Sequence, residues 1–439
     1  MAGKPDHRTL LTRRMALAGL AAAATCGVAK DRPAIAQPAA TAENGAGPVF
    51  SATGPNAEFY GSAEDFPVPG LPLARKHGNP YPPAYRVGAF SHLDEIYPTR
   101  TIKRAAKPSM FNREAADIRY SYKGNPSSLA EYLSRNPVTG LLIARDDRIL
   151  FEHYQYGRTD RDRLISQSMV KSIMGLLIGI AISEGALKSV DDTTETYVRG
   201  FKGTEYGKTP IRDLLHMSSG VDFGEARDGG RDLNRLWGDM VSGSWISNKG
   251  TVKSIAQFNR RIAPPGTRYY YASIEPDVLG VVLHQAINKS ASDYLQEKVW
   301  QPIGAEADAT WLLDAEGFEV AHFGFNAVLR DYARLGRLLA HDGAWNGKQI
   351  IPAQWMIDAT TVRASDTYLL PGKATPGFGY GYLLWLLPGE RRQFALLGDY
   401  GQRICIDPAS KLVMVQTGLE AISEVWPLWS ALVKQFGRG

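Results

Sequence analysis

The sequence SQSMVKSIMGLLIGIAISEG, residues 166–185, predicts a helix that is buried on all sides. Residues 173–182 are almost wholly apolar, with glycines at 175 and 179, and Gly185 provides a normal C-terminal stop. Ser168 and Lys171 stand at the front of this apolar run. A lysine is unusual in a buried helix, so Lys171 is a candidate for a chemical function.

The spacing of Ser168 and Lys171 predicts that a hydroxyl group and an amine meet on one face of this helix, because positions i and i+3 are neighbours. Serine is a weak nucleophile without an adjacent base. A lysine among apolar side chains loses its proton more readily, because burial disfavours the charged form. The pair is therefore a candidate nucleophile and base. An isolated S-x-x-K is also compatible with a capping serine and a lysine that extends to solvent.

The segments on both sides of this helix predict strands. TGLLIARDDRILFEHYQYG, residues 139–157, indicates a hairpin around Asp146 and Asp147. SEVWPLWSALVKQF, residues 423–436, favours a closing amphipathic helix. Before that helix, four segments favour an antiparallel meander: YGYLLWLL, QFALLGDY, QRICIDP and KLVMVQT.

The order of these elements predicts an α+β fold, an α/β sandwich in which an antiparallel sheet is flanked by helices. Residues from about 186 to 345 have mostly helical periodicity and predict an all-helical lobe inserted between two parts of the sheet. The whole domain is expected to span 111–439. Residues 37–110 begin with a stretch rich in Ala, Gly and Pro, which favours an extended lead-in. A cleft between lobe and sheet is the expected place for a site.

Residues 1–36 have the pattern of a twin-arginine export signal. Arg13 and Arg14 precede an uncharged run at 15–28, and an A-x-A motif ends at Ala36, where we predict cleavage. The run is shorter than the roughly 20 residues that span a bilayer, so we expect no stable membrane insertion of the mature chain. The predicted location is the periplasm or the extracellular space.

Charge and motif content exclude several function classes. Residues 1–36 hold six of the 50 Lys and Arg but two of the 45 Asp and Glu, so the remaining chain is close to neutral and favours no nucleic-acid partner. The eight histidines have no metal-binding spacing, and GAWNGKQ lacks the spacing of a P-loop. A G-x-S-x-G elbow is absent from the sequence. We expect no metal and no organic cofactor.

Two further motifs follow Ser168 and Lys171 in the chain. PPGTRYYYASIEPDVLG spans residues 264–280, and FALLGDYGQRICIDP spans residues 394–408. With IRDLLHMSSGVDF, SVDDTTETY and AWNGKQIIPAQW, these segments resemble the serine β-lactamase and D-Ala-D-Ala carboxypeptidase superfamily. Within it, the chain is most similar to class C-type esterases and to 6-aminohexanoate-dimer (nylon oligomer) hydrolases. The resemblance extends from about Tyr85 to the C-terminus.

The resemblance implies roles for named residues. Ser168 matches the nucleophile and Lys171 its general base. Tyr271 matches the tyrosine of the family's Y-x-N motif, which assists proton transfer to the leaving group, and Ser273 occupies the place of the asparagine. The backbone amides of Ser168 and Asp399 would form the oxyanion hole. The residues expected in the substrate cleft are Ser273, Gly398, Tyr400 and Arg227.

The third motif separates the functional alternatives. β-Lactamases and penicillin-binding proteins carry Lys-Thr-Gly there, and many esterases carry His-x-Gly, whereas this chain has Leu396, Leu397 and Gly398. Nylon-oligomer hydrolases also have an apolar residue there and a similar Tyr-Gly-Gln turn, although Arg227 replaces their substrate-closing tyrosine. The prediction is a serine hydrolase of a small linear amide or ester, acting through an acyl-enzyme. The alternatives are a class C-type carboxylesterase, a β-lactamase or D-Ala-D-Ala carboxypeptidase, and a catalytically silent binding protein.

Overall fold

The structure is a computed structural model that describes residues 47–61, 82–225, 230–241 and 250–437. These residues all belong to one unit of the chain, 42–439. The predicted export signal, its cleavage site after Ala36 and the predicted cleft residue Arg227 lie outside the described residues.

The α-helices of the described residues are α1 (Arg86–Ala89), α2 (Leu93–Ile96), α3 (Leu129–Arg135), α4 (Met169–Ser183), α5 (Ile211–Leu215), α6 (Arg231–Met240), α7 (Thr251–Ala256), α8 (Ile274–Ile287), α9 (Ala291–Leu295), α10 (Leu329–Ala340), α11 (Ala353–Thr360) and α12 (Val425–Phe436). The strands are β1 (Val49–Phe50), β2 (Thr99–Ile102), β3 (Asn112–Arg113), β4 (Arg119–Tyr122), β5 (Asn125–Ser128), β6 (Val138–Arg145), β7 (Arg148–Tyr154), β8 (Leu164–Ile165), β9 (Ala309–Leu312), β10 (Phe325–Ala327), β11 (Ala344–Trp345), β12 (Lys348–Gln349), β13 (Gly379–Tyr380), β14 (Trp385–Leu386), β15 (Phe394–Gly398), β16 (Gln402–Asp407) and β17 (Leu412–Gly418).

The main sheet is built from both ends of the chain. Its strand order is β1-β7-β6-β17-β16-β15-β14-β13, with β3 also paired to β7. The hairpin β6–β7 turns at Asp146, which adopts a positive φ of 54°, as expected from the sequence. The C-terminal strand β17 pairs antiparallel with β6, and the pairings of β1 and β3 with β7 are parallel. The predicted antiparallel sheet is therefore confirmed, with short parallel additions at one edge.

Helices cover both faces of this sheet. Along β6, Leu142 and Ala144 share a buried cluster with α4 and α10, whereas Leu141 and Ile143 share a cluster with α3 and α12. Alternate residues of a strand point to opposite faces, so an almost wholly apolar strand requires a cover on each side. The α/β sandwich predicted from the sequence is confirmed.

Helix α4 occupies the centre of the molecule. Residues 169–181 are all buried, and the helix packs against α8. A Cβ atom at Gly179 would lie 2.4 Å from the indole ring of Trp355, and one at Gly175 would lie 3.1 Å from the Tyr382 carbonyl oxygen. Gly179 therefore lets α11 approach the helix closely, and Gly175 does the same for the backbone at Tyr382.

The inserted segment differs from the all-helical lobe expected between 186 and 345. Strands β9 and β10 lie inside it and form a second sheet, in the order β2-β9-β10-β8, with two strands from outside it. Helix α10 packs on β16, β17 and β6 of the main sheet. The all-helical description therefore fails at β9 and β10, whereas α10 lies where its helical periodicity predicts it. Short, fully buried strands lack the alternation that distinguishes a strand from a helix in sequence.

The segment expected to be an extended lead-in, 37–110, contains α1, α2, β1 and β2 in its described part. Its β2 pairs with β9 along four residues. The segment is therefore integrated into the fold through strand pairing, which its Gly- and Pro-rich composition did not indicate. None of the helices in the described part of the chain combines the length and apolarity required to cross a membrane.

Candidate active site

Ser168 and Lys171 meet at the N-terminal end of α4, as their spacing predicts. Ser168 is the residue that precedes the helix, and Lys171 Nζ lies 2.6 Å from Ser168 Oγ. Ser168 is partly exposed, whereas Lys171 is buried. A substrate could therefore reach the hydroxyl group while the amine remains shielded from water. The positive end of the helix dipole lies beside the hydroxyl group and favours negative charge there.

Two opposing effects act on the pKa of Lys171. Burial lowers it below the ordinary value of 10.5, because a charged amine is poorly solvated there. The carboxylates of Glu225, Asp399 and Asp277 act in the opposite direction, and burial prevails. The amine is thus more readily deprotonated than that of an ordinary lysine, which a general base requires.

A second polar contact orients Lys171. Its Nζ donates a hydrogen bond to the backbone oxygen of His322 at 3.1 Å. The buried carboxylate of Asp277, on α8, fixes this backbone: it accepts from the Ala321 amide at 2.9 Å and lies 2.7 Å from His322 Nδ1. The sequence does not indicate Asp277 and His322 as parts of the site. They are 45 residues apart, so no short motif connects them.

Tyr271 completes the group around the serine. Lys171 Nζ lies 4.9 Å from the centroid of the Tyr271 ring. Burial and the nearby carboxylate of Glu225 raise the pKa of Tyr271 well above 10, whereas a side-chain hydrogen bond with Ser168 lowers it. Tyr271 therefore keeps its proton near neutral pH and can give it to a departing group that draws it away.

Ser273 occupies the place of the asparagine in the Y-x-N motif and is engaged by Glu225. Its backbone amide and its hydroxyl group both donate to the Glu225 carboxylate, the hydroxyl at 2.7 Å. Ser273 is buried, while Glu225 is partly exposed. The pair ties the loop that contains Glu225 to the start of α8. The sequence does not indicate Glu225 as part of the site either, because a single acidic residue in a loop belongs to no motif with a defined spacing.

Gly398, at the end of β15, lies directly against the chain that leads to the nucleophile. A Cβ atom at residue 398 would lie 2.5 Å from the Ser166 carbonyl oxygen and 3.0 Å from the Ser168 amide nitrogen. The amide of Asp399 follows immediately. This close approach brings the two amides predicted for the oxyanion hole to neighbouring backbone positions, and a glycine is needed for it.

The turn after Gly398 is fixed from inside the sheet by Gln402. The buried side-chain amide of Gln402 donates to the carbonyl oxygens of Asp399, Tyr400 and Gly418 at 3.1, 3.2 and 2.8 Å. The Gly418 amide donates to Gln402 Oε1 at 3.0 Å. Gln402 therefore connects the turn to the end of β17.

The remaining predicted cleft residues have different surroundings. The Tyr400 ring packs against Phe90, with ring centroids 5.2 Å apart, so its contact is with the N-terminal part of the chain. A role for Tyr400 in binding substrate stays a prediction, as does one for Arg227. Leu396, at the position of the family's Lys or His, is fully buried in the main apolar cluster and offers no charge to a ligand.

Aromatic side chains extend from Tyr271 to β14, near one end of the main sheet. Trp385 stacks on Tyr271 with ring centroids 5.7 Å apart, and Phe378 contacts Trp385 edge to face at 6.0 Å. All three side chains are partly exposed. Within the described residues, no group of three or more His, Cys, Asp or Glu side chains has the arrangement of a metal site.

Comparison with known proteins finds relatives over most of the chain. The sequence model of the Beta-lactamase family matches residues 129–416. The 6-aminohexanoate-dimer hydrolase of Paenarthrobacter ureafaciens is 25% identical over 337 residues, which cover 75% of this chain and 84% of that protein. The "Putative 6-aminohexanoate-dimer hydrolase from Bacillus anthracis" superposes with a TM-score of 0.71 at 24% identity, over 80% of this chain and 93% of that chain.

A further hydrolase shares the fold. EstCE1, described as a hydrolase with promiscuous acyltransferase activity, superposes with a TM-score of 0.54 at 19% identity, over 67% of this chain and 93% of that chain. The family model covers well over half of the sequence and includes Ser168, Lys171, Tyr271 and Asp399. The chain therefore belongs to the Beta-lactamase family, and it is an enzyme of the serine hydrolase type with the fold shared by β-lactamases and penicillin-binding proteins.

Proposed function

We propose that this hydrolase cleaves an amide or ester bond of a small linear substrate through an acyl-enzyme on Ser168. The observation that carries the proposal is the 2.6 Å distance between Lys171 Nζ and Ser168 Oγ, at a partly exposed hydroxyl group and a buried amine. A capping serine and a lysine that extends to solvent would not produce this pair, because such a lysine would have its amine in water.

In the first step Ser168 Oγ attacks the substrate carbonyl carbon, and its proton passes to Lys171. The amides of Ser168 and Asp399 stabilise the oxyanion of the tetrahedral intermediate. The C–N or C–O bond then breaks, and the leaving amine or alcohol takes a proton through Tyr271, which Lys171 resupplies. In the second step water attacks the acyl carbon, and its proton passes to Lys171 by way of Tyr271. The bond from the acyl carbon to Ser168 Oγ then breaks, and Lys171 returns the proton to Oγ, which restores the free hydroxyl.

The substrate class follows from the third motif and from the relatives. The position of the family's Lys or His is filled by the buried Leu396, which cannot bind the carboxylate of a β-lactam or of a peptide terminus. The curated relative is named for the hydrolysis of 6-aminohexanoate dimer, a linear amide. We therefore place linear amides first among the substrate classes of this enzyme.

An ester substrate is the second candidate, and the aromatic side chains beside Tyr271 favour it. Trp385 and Phe378 present partly exposed rings next to the site, which suit an apolar acyl or alcohol group. The Ser168 mechanism would be the same, since an alcohol leaves more readily than an amine.

The test is the variant Ser168→Ala. It should lose covalent labelling by a fluorophosphonate probe and at least roughly 10⁴-fold in kcat, because the nucleophile is removed. Ser183→Ala, on the same helix with its hydroxyl bonded to the Ile180 carbonyl oxygen, is the matched control and should be labelled like the wild type. Turnover that survives in Ser168→Ala would overturn the proposal.

A substrate panel separates the alternatives. 6-Aminohexanoate dimer, p-nitrophenyl esters and nitrocefin are compared side by side for hydrolysis that depends on Ser168. Faster hydrolysis of nitrocefin than of the aminohexanoate dimer and the p-nitrophenyl esters would favour a β-lactamase activity. Folded wild-type protein without any labelling at Ser168 would favour a silent binding protein. Export and cleavage after Ala36 stay predictions for this chain.

A further inference from the structure

Residues 82–97, which we call the N-terminal arm, lie outside the residues matched by the family model. The arm contains α1 and α2. It belongs to a buried cluster with Tyr60, Tyr156, Ile165 and Leu419, against which the Tyr400 ring also packs. The arm therefore contacts the chain on both sides of the candidate oxyanion hole.

The first contact is with the nucleophile side. The carbonyl oxygen of Phe90 accepts a hydrogen bond from the Ile165 amide at 2.9 Å. Between Ile165 and Ser168 the chain turns sharply, and Gln167 adopts a positive φ of 47°, which is uncommon for a residue with a side chain. Such a conformation persists only where the surroundings hold it, and the bond to Phe90 fixes the start of the turn.

The second contact is with the turn that carries the Asp399 amide. Tyr400 also adopts a positive φ, 60°. Its ring lies 5.2 Å from the Phe90 ring, centroid to centroid, and the Arg86 guanidinium carbon lies 4.7 Å from the same ring centroid. A strained residue immediately after the amide donor is thus held by two side chains of the arm.

Arg86 also anchors the arm to the chain beneath this turn. It is buried, and its Nη1 donates to the Leu419 carbonyl oxygen at 2.7 Å. The next carbonyl, that of Glu420, supports the turn closely: a Cβ atom at Gly401 would lie 2.5 Å from its oxygen. Arg86 therefore connects the arm, the Tyr400 ring and the strand end on which the turn rests.

We propose that Phe90 and Arg86 are positioning residues that hold the two amide donors, Ser168 N and Asp399 N, in the geometry that binds the oxyanion. The inference rests on the proposed function. Phe90 contacts both sides, the nucleophile side through its carbonyl oxygen and the Asp399 side through its ring. The arm thus holds the oxyanion hole from the side of the N-terminal segment, while the side chain of Gln402 holds the Asp399 turn from within the sheet.

The experiment measures kcat and KM for a p-nitrophenyl ester, and inhibition by phenylboronic acid, in the full chain. Phe90→Leu and Arg86→Met should each lower kcat about tenfold to a hundredfold, with KM changed less than about threefold, because a displaced donor acts on the transition state. Boronate inhibition should weaken in parallel, since its tetrahedral adduct occupies the same hole. Arg86→Lys, which keeps a cation above Tyr400, should recover part of kcat.

Two controls separate this effect from lost stability. Rates are normalised to the fraction of enzyme that a fluorophosphonate labels at completion, so unfolded protein does not count. Phe59→Leu, which changes an aromatic ring that is 55% exposed in the same N-terminal region, should leave kcat unchanged. In the double variant Phe90→Leu/Tyr400→Leu, the losses should be less than additive, because both act through one contact.

The outcomes distinguish the two proposals. Normal kcat and boronate affinity in Phe90→Leu and Arg86→Met, with activity that still depends on Ser168, would overturn the positioning role alone. Equal changes in Phe59→Leu would also overturn it. Absence of labelling at Ser168 in folded wild-type protein would overturn the proposed function, and the positioning role with it.

Discussion

The charge on Lys171 depends on a balance between burial and three carboxylates. Burial lowers the pKa of its amine below the ordinary 10.5, while Glu225, Asp399 and Asp277 act to raise it. Among these acids Asp399 is exposed. Its backbone amide is a proposed oxyanion donor, whereas its carboxylate is a separable part of the electrostatic environment. A substitution can therefore change one and keep the other.

We predict that Asp399→Asn moves the ascending limb of the pH profile of kcat/KM to lower pH. The limb follows the deprotonated fraction of Lys171, and removing a nearby negative charge makes deprotonation easier. The shift should be small, because water and salt screen an exposed carboxylate. Asp117→Asn, whose side chain is 75% exposed and paired with Arg119, is the control and should leave the profile unchanged. A shift to higher pH would contradict the prediction.

At the level of residues, the sequence predicts site residues that belong to one short motif. It does not predict contacts between residues that are far apart in the chain. Ser168 and Lys171 are three residues apart, and helix geometry alone makes them neighbours. The contact between Glu225 and Ser273 joins residues 48 apart. That contact depends on how a loop is placed against α8, and no local pattern specifies such a placement.

At the level of elements, α4 is fixed by close approach as well as by its apolar surface. Gly179 faces the indole ring of Trp355 on α11, where a Cβ atom would lie 2.4 Å from ring atoms. The buried run 169–181 accommodates Trp355 on this side because glycine has no side chain. Ala, a better helix former than Gly, would improve the isolated helix but not the packed one.

We predict that Gly179→Ala destabilises the protein by about 1–3 kcal/mol, because the added methyl group overpacks the contact with Trp355. Urea unfolding followed by far-UV circular dichroism measures the change. Trp355→Leu in the Gly179→Ala background should recover part of the loss, since a smaller side chain leaves space for the methyl group. A more stable Gly179→Ala protein would show that helix propensity outweighs packing here.

Elements with a strong period are predicted well, and short buried ones are not. The hairpin β6–β7, helix α10 and helix α12 lie where alternation or helical periodicity places them. YGYLLWLL, predicted as one strand, forms β13 and β14 with a reversal between them, where Leu383 adopts a positive φ of 54°. A leucine in this conformation is rare, so the reversal carries no sequence signal.

At the scale of the whole molecule, buried ionisable groups connect the fold to pH. His216 lies at the end of α5, where its ring packs 4.9 Å from that of Tyr382. Its Nδ1 has no hydrogen-bond partner within the described residues. Burial lowers the pKa of His216 from 6.5 to about 3. Because the unfolded chain binds this proton more readily, stability falls as the pH drops below 6.5.

We predict that His216 alone costs the wild type about 2 kcal/mol of stability between pH 7 and pH 5. His216→Phe, which keeps a ring beside Tyr382 but cannot take a proton, should lose correspondingly less over this range. The free energy of unfolding in urea at the two pH values measures both losses. Equal losses in the two proteins would mean that His216 is not kept neutral by the fold.

The pairing of β6 with β17 also determines when the molecule can become active during its synthesis. Leu142 lies opposite Val415, and the backbone before the nucleophile rests on Gly398. The central sheet and the proposed oxyanion hole therefore both need strands that the ribosome makes more than 200 residues after Ser168. Pairing between strands that are far apart in the sequence forms slowly during folding. Ser168 is therefore synthesised long before its proposed active site can form, because that site is complete only when β15, β16 and β17 have joined the sheet.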